Sequence, residues 1–214
     1  MISKIKDPFS ALSHLFGALL AIVGLVALLT KSISIATPLH TISYAIYGAS
    51  LVLLYSASTV YHFFKVSKNK ERVLRYIDHM MIYVLIAGTY TPICLIALQG
   101  AHGKTMLIAI WCLAIVGIVV KGVWFDAPRW LSTLIYVFMG WLVILAVPPL
   151  ITSIGRKGFA WLLAGGIVYS IGAIIYGTKW PNISSKIVGF HEIFHLFVLG
   201  GSFCHYWLIY RYII

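Results

Sequence analysis

Acidic side chains are nearly missing from this sequence, with five Asp and Glu in 214 residues, and charged residues of both signs make up only 10% of the chain. That scarcity excludes the polar surface of a soluble domain, where about a quarter of residues are charged, and equally a charge-rich disordered segment. Cysteine is scarce too. Cys94, Cys112 and Cys204 are odd in number and scattered through apolar runs, which excludes a disulfide framework and a CxxC metal clip. Long polar linkers, internal repeats and low-complexity tracts are also missing, so residues 1–214 read as a single domain.

What fills the chain instead is apolar sequence. Hydrophobic residues make up 61% and the mean hydropathy is +0.98. Apolar runs of about 20 residues recur, the length needed to cross about 30 Å of hydrocarbon as helix. Reading them between charged or Pro/Gly-rich breaks predicts an all-α membrane protein with seven transmembrane helices, at about 10–30, 40–64, 74–98, 104–121, 130–149, 159–178 and 189–210. The first run continues to about Thr30 without a small-x-small cleavage site, so it reads as a retained helix rather than a signal peptide. These features predict an integral, multi-pass protein of the plasma (inner) membrane. Pro92 is expected to kink the third helix, and Pro148 with Pro149 to end the fifth. Gly165, Gly166 and Gly172 would allow close helix packing, while Trp124, Trp130, Trp161, Trp180 and Trp207 fit interfacial belts.

The net charge of +11 raises nucleic acid as a partner. The basic residues, however, lie between apolar runs rather than on an aromatic-interleaved patch, which points to topology and anionic lipid headgroups instead. With the N-terminus cytoplasmic, the inner segments hold eleven of the sixteen Lys and Arg (Lys4, Lys6, Lys65, Lys68, Lys70, Arg72, Arg75, Lys121, Arg129, Lys179, Lys186). The other five, Lys31, Lys104, Arg156, Lys157 and Arg211, lie outside. This asymmetry predicts N-terminus in and C-terminus out.

Ionisable groups inside a membrane are costly and therefore mark candidate sites. "YSASTVYHFF" puts His62 near the inner end of helix 2 with Ser58 one turn deeper, "LRYIDHMM" puts Asp78 near the inner end of helix 3, and "GFHEIFHLF" puts His191 and His195 at the start of helix 7. Polar groups from three helices thus share one depth, and the two histidines four residues apart face the same way. Three imidazoles suit Zn²⁺ in an open, catalytic arrangement. Asp78 then fits a general base, and Ser58 a hydrogen-bonding partner of water, Asp78 or substrate. A proton relay or a structural polar network is the alternative.

His14, His40, His79, His102 and His205 individually read as interfacial or hydrogen-bonded residues. Residues 191–195 also spell HExxH, a zinc-protease signature in which Glu192 would be the base. The continuation "HLFVLGGSFCHY" lacks HxxGxxH, so the match reads as an overlap with a His-x-x-x-His metal pair. Glu192 is then expected beside the ligands or at the helix N-terminus.

Four stretches, "DPFSALSHLFGALLA", "YSASTVYHFF", "YIDHMMIYVLIAGTYTP" and "GFHEIFHLFVLGGSFCHY", together resemble the motifs of the bacterial hemolysin III family. That family is a branch of the progestin and adipoQ receptors, grouped with alkaline ceramidases in a wider superfamily of membrane hydrolases. The resemblance covers almost the whole chain. It implies seven helices, a cytoplasmic N-terminus and a zinc held by three histidines, here His62, His191 and His195, with Asp78 and Ser58 beside it. It further implies hydrolysis of a lipid amide. The chain lacks the receptors' long N-terminal region and C-terminal extension, so adiponectin-like ligand recognition does not carry over.

Three functions are therefore weighed: a zinc-dependent hydrolase of a lipid acyl amide or ester linked to membrane lipid homeostasis, a pore-forming haemolysin causing cytolysis, and a sensor of membrane state with structural zinc. The expected partners are membrane lipids, with no nucleic acid.

Overall fold

Apolar runs punctuated by proline and glycine become helices that stop where those residues or charges intervene. The computed structural model describes residues 5–35, 37–181 and 188–214, so Lys4 and Lys186 of the charge asymmetry lie outside the described residues. Helix α1 spans Pro8–Ile35 and α2 spans Pro38–Phe63. Thr37 before α2 is extended and Pro38 opens the helix, a position where the missing N–H removes no intrahelical bond. Helix α3, Lys68–Pro92, continues as a π-helical turn over Ile93–Leu98. The widened turn follows directly on Pro92, which cannot donate to the helical ladder. Helix α4 spans Gly100–Val123 and α5 spans Arg129–Trp141; a 3₁₀ turn over Leu142–Ala146 leads into α6, Val147–Thr178, and α7 spans Phe190–Tyr212.

Among the described residues, six helical stretches are long and apolar enough to cross a membrane, and together with the family relationship below they make this an integral multi-pass membrane protein. One of the six is the 50-residue stretch Arg129–Thr178, where the sequence predicts two crossings. The prolines behave differently from expectation there. Pro148 and Pro149 do not end a helix; they occupy the first turn of α6, the part of a helix that tolerates proline. The departure from helical backbone comes later, at Gly155, with φ 69° and ψ 170°, a conformation open to a residue without Cβ.

Helix α1 packs along α2, α2 along α3 and α6 along α7, and α1 also reaches α7. One core cluster joins Leu28 of α1, Tyr44, Tyr47, Leu51 and Leu54 of α2, and Leu208 and Ile209 of α7. A second joins Tyr83, Ala87 and Tyr90 of α3 to Ile110 and Ala114 of α4 and Met139 of α5. Large apolar side chains such as Val23, Ile33, Ile108 and Ile174 remain exposed, as they must on a surface bathed in lipid. This arrangement gathers the start of α1, the end of α2, the first half of α3 and the start of α7 at one end of the bundle.

Of the three glycines expected to bring helices together, Gly165 and Gly172 do so and Gly166 does not. A Cβ at Gly165 would lie 2.3 Å from the His205 ring and one at Gly172 would lie 2.8 Å from Phe197, whereas at Gly166 the nearest atom, on Trp141, is 3.8 Å away. Gly165→Ala is therefore expected to destabilise the detergent-solubilised protein by about 1–3 kcal/mol, with Gly166→Ala close to neutral. Parallel thermal melts of the two variants check this, and equal melting temperatures would refute the close-packing assignment.

Candidate metal centre

The last carbonyls of a helix have no partner within it, and at the end of α2 the chain before α1 supplies them. The Lys6 N–H donates to the Phe63 carbonyl at 3.2 Å, and the Asp7 N–H donates to the His62 carbonyl at 2.9 Å. The Lys6 ammonium donates to the Tyr61 carbonyl at 3.4 Å and pairs with Glu71 of α3 at 2.8 Å. This strap carries the Asp7 carboxylate to 2.9 Å from Nδ1 of His62. The same hydrogen bond holds the Asp7 carboxyl below its ordinary range, against the opposing effect of partial burial. With Nδ1 of His62 facing Asp7, the other ring nitrogen, Nε2, faces His191.

Gly189, extended in backbone, caps the start of α7, and its N–H donates to Oε2 of Glu192 at 2.9 Å. The other carboxylate oxygen, Oε1, accepts from the Ser10 hydroxyl of α1 at 3.0 Å. Glu192 is thus a helix-terminal cap that ties α7 to α1. Both its oxygens are engaged, which leaves a protease-type base without a free carboxylate and accounts for HExxH as a coincidence of spacing. One residue earlier and three later, His191 and His195 project from the same face.

The three predicted ligands meet. Nε2 of His191 lies 3.3 Å from Nε2 of His62 and 3.2 Å from Nε2 of His195, and one ligand atom from each residue falls within 4.8 Å of the others. A metal ion fits this donor set on two counts. Two nitrogens bound at about 2.0–2.1 Å around a tetrahedral ion stand about 3.3 Å apart, matching the spacings here. A hydrogen-bond network fits less well, because one imidazole nitrogen carries at most one hydrogen and His191 Nε2 would have to serve two neighbours at once. His62 and His195 are each 2% exposed, so water does not satisfy them.

Ser58 and Asp78 lie side by side on the wall of a cavity of about 590 Å³, which His191 and His195 also line. The cavity reaches the exposed residues Asp126 and Arg129 at this end of the bundle and extends past apolar side chains including Leu85, Ile93, Leu162 and Val198. All five residues singled out in the sequence are therefore brought to one place, three as a ligand cluster and two on the adjoining cavity wall.

Two residues of the site escaped the sequence reading. Asp7 offered only its position before the first helix, and no local pattern foretells a strap across α2 and α3. His14, expected to be an ordinary helix-end histidine, is 3% exposed and stacks on His195 with ring centroids 3.7 Å apart. A signal for it existed, since the buried stripe Ser10, His14, Ala18 and Ala21 follows helical spacing through an otherwise lipid-facing run. Among the other histidines, His40 contacts the Thr37 side chain, His205 lies 3.2 Å from the Leu162 carbonyl, His102 is exposed, and His79 lines the cavity.

A profile of the haemolysin-III-related family matches residues 2–206. The chain belongs to that family. It is 45% identical over 193 residues to the hemolysin-3 homolog of Bacillus subtilis (strain 168), covering 90% of this chain and 87% of that protein. It is 41% identical over 217 residues to hemolysin-3 of Bacillus cereus, covering 100% and 95% respectively. More distantly, it is 28% identical over 173 residues to the human monocyte to macrophage differentiation factor, covering 78% and 69%. These relatives place it with the hemolysin III branch of the progestin and adipoQ receptors, as its motifs suggested.

Partners that orient a metal-bound histidine typically contribute 10–100-fold to metal affinity. Asp7→Ala is accordingly expected to weaken zinc binding by about 10–100-fold while leaving helix content intact. Chelator competition on purified protein, read beside far-UV circular dichroism, measures both. Unchanged affinity would show that the strap merely closes the end of α2.

Proposed function

We propose that this protein is a zinc-dependent hydrolase of lipid acyl amides or esters in the plasma membrane, with a role in membrane lipid homeostasis. The observation that carries this reading is a three-histidine cluster, two of whose members, His191 and His195, line a largely apolar cavity that also has a carboxyl and a hydroxyl on its wall. His62, His191 and His195 would hold the ion. When bound, zinc supplies Lewis acidity toward a water or an acyl oxygen.

The remaining work falls to side chains of the chain itself. Asp7 fixes the tautomer of His62 so that Nε2 faces inward. Asp78 takes a proton from the attacking water and returns it to the departing nitrogen or oxygen. One water thereby adds across the acyl bond, giving a carboxylic acid and an amine or alcohol. Ser58, beside Asp78, orients that carboxyl. The apolar inner wall excludes bulk water and accepts the acyl chain.

Elemental analysis of detergent-purified protein is expected to find about one zinc per chain, lost in the His191→Ala, His195→Ala double variant. Asp78→Asn should keep the zinc while fatty-acid release from N-acyl amide and acyl ester probes falls by at least about 100-fold. Turnover retained in Asp78→Asn would remove the assigned base. Metal-dependent thermal stability without turnover on any probe would favour the sensor with structural zinc, in which the cluster merely ties α2 to α7. Dye release from liposomes by the purified protein would favour the pore-forming haemolysin.

We also propose seven crossings with the N-terminus and the metal cluster on the cytoplasmic side. A 50-residue helical stretch would be about 75 Å long at 1.5 Å per residue, far more than a bilayer needs, and the non-helical backbone at Gly155 sits next to Arg156 and Lys157. Cysteines introduced at Arg156 and Lys157 of a chain lacking its native ones are expected to react with a membrane-impermeant maleimide in intact cells, and a cysteine at Lys68 only after lysis. Protection at Arg156 and Lys157 would leave six crossings.

A further inference from the structure

The cavity mouth at the metal-site end is built from cations that the protein leaves largely unbalanced. Arg75 of α3, Lys121 of α4 and Arg129 of α5 all line the cavity. The nearby carboxylate, Asp126, is 76% exposed and shared between Arg72 at 3.5 Å and Arg75 at 3.8 Å. Arg129 makes no ion pair among the described residues; its guanidinium lies over the rings of Tyr176 and Phe190, at 4.8 and 5.6 Å. Lys121 is the decisive residue. It is only 6% exposed; among the described residues its ammonium has one hydrogen-bond partner, Ser132 Oγ at 3.5 Å, and lies 5.7 Å from the centre of the Phe125 ring, with no carboxylate in ion-pair range. An ammonium has three donors, and a buried one is costly unless paired.

The positive-inside tendency explains basic residues at a helix end in water or headgroups, but not a lysine turned into a cavity wall. A basic mouth leading to an apolar interior is the complement of a molecule with an oxyanion at one end and a hydrocarbon chain at the other. We infer that the cavity binds lipids with an anionic headgroup, a phosphate or carboxylate held by Lys121, Arg129 and Arg75, with the acyl chain directed inward past the metal cluster. This rests on the hydrolase reading for its meaning as substrate selection, while the binding itself stands apart from turnover.

The test uses full-length protein in neutral detergent and three probes sharing one acyl chain: a fluorescent monoacylglycerol phosphate, the matching monoacylglycerol and the matching zwitterionic phosphocholine. The anionic probe is expected to bind at least about tenfold more tightly than the other two, a preference that Lys121→Met and Arg129→Gln each reduce about tenfold, the effect of losing a charge-assisted hydrogen bond. Lys68→Gln, an exposed basic residue outside the cavity, should change nothing. Arg129→Gln keeps the test decisive should Lys121→Met fold poorly, because Arg129 is exposed.

Equal affinity for the three probes, or an equal loss in Lys68→Gln, overturns the inference. Competition by inorganic phosphate as effective as the lipid's own would also overturn it, reassigning the cations to a free oxyanion. Selective binding without hydrolysis would keep this inference and remove the hydrolase reading. Hydrolysis indifferent to headgroup charge would do the reverse.

Discussion

The rest of the site depends on one crowded atom, Nε2 of His191, which stands 3.2–3.3 Å from the nitrogens of two buried imidazoles. One hydrogen on that nitrogen can serve only one of the two neighbours, and protonating all the rings would bury charge. A bound cation would remove both difficulties, with His62, His191 and His195 each offering it one nitrogen. The surrounding structure follows from holding the rings there. His62 must come from the end of α2 and the His191–His195 pair from the start of α7, so those two helix ends must be locked at one level although they are far apart in sequence.

The lock is made of backbone groups and carboxylates that would otherwise be liabilities in a membrane protein. The carbonyls at the end of α2 take the N–H groups of Lys6 and Asp7, and the N–H at the start of α7 goes to Glu192. Each acid then does a second task. Asp7 aims His62, and Glu192 accepts Ser10 from α1. Two of the five acidic residues therefore serve helix ends and site geometry together, which is economical in a chain that tolerates so few charges. Lys6 pairs with a third, Glu71, and so brings α3, the helix of Asp78, into the same strap.

Much of this was legible in the sequence because the membrane makes depth readable. Charged loops fix where each helix starts and ends, so Ser58, His62, Asp78, His191 and His195 could be placed at one level by counting along their helices. What depth does not give is azimuth or cross-chain detail. The stacking of His14 on His195 depends on which face α1 turns inward, and the Asp7–His62 contact depends on a non-helical strap with no periodicity to read. Proline misled for a related reason. Pro148 and Pro149 look like a stop in one dimension, yet the same residues serve equally to begin a helix, and the glycine that breaks the backbone at residue 155 lies six and more residues further on.

The two ends of the cavity offer different chemistry, and that difference bears on how the proposed reaction would be confined there. Basic side chains at the mouth favour a charged, hydrated group, whereas Leu85, Ile93, Leu162 and Val198 favour hydrocarbon. A molecule satisfying both is held along its length rather than free to slide, since moving inward would desolvate its charge and moving outward would expose its chain. His191 and His195 of the histidine cluster, with Ser58 and Asp78, lie on the wall of the same cavity as those basic side chains. The group presented to them would be the linkage between head and chain, which is where an acyl amide or ester carries its scissile bond. On this view the cavity would select the bond to be attacked by its distance from the charged mouth, with the apolar wall holding the chain beyond it.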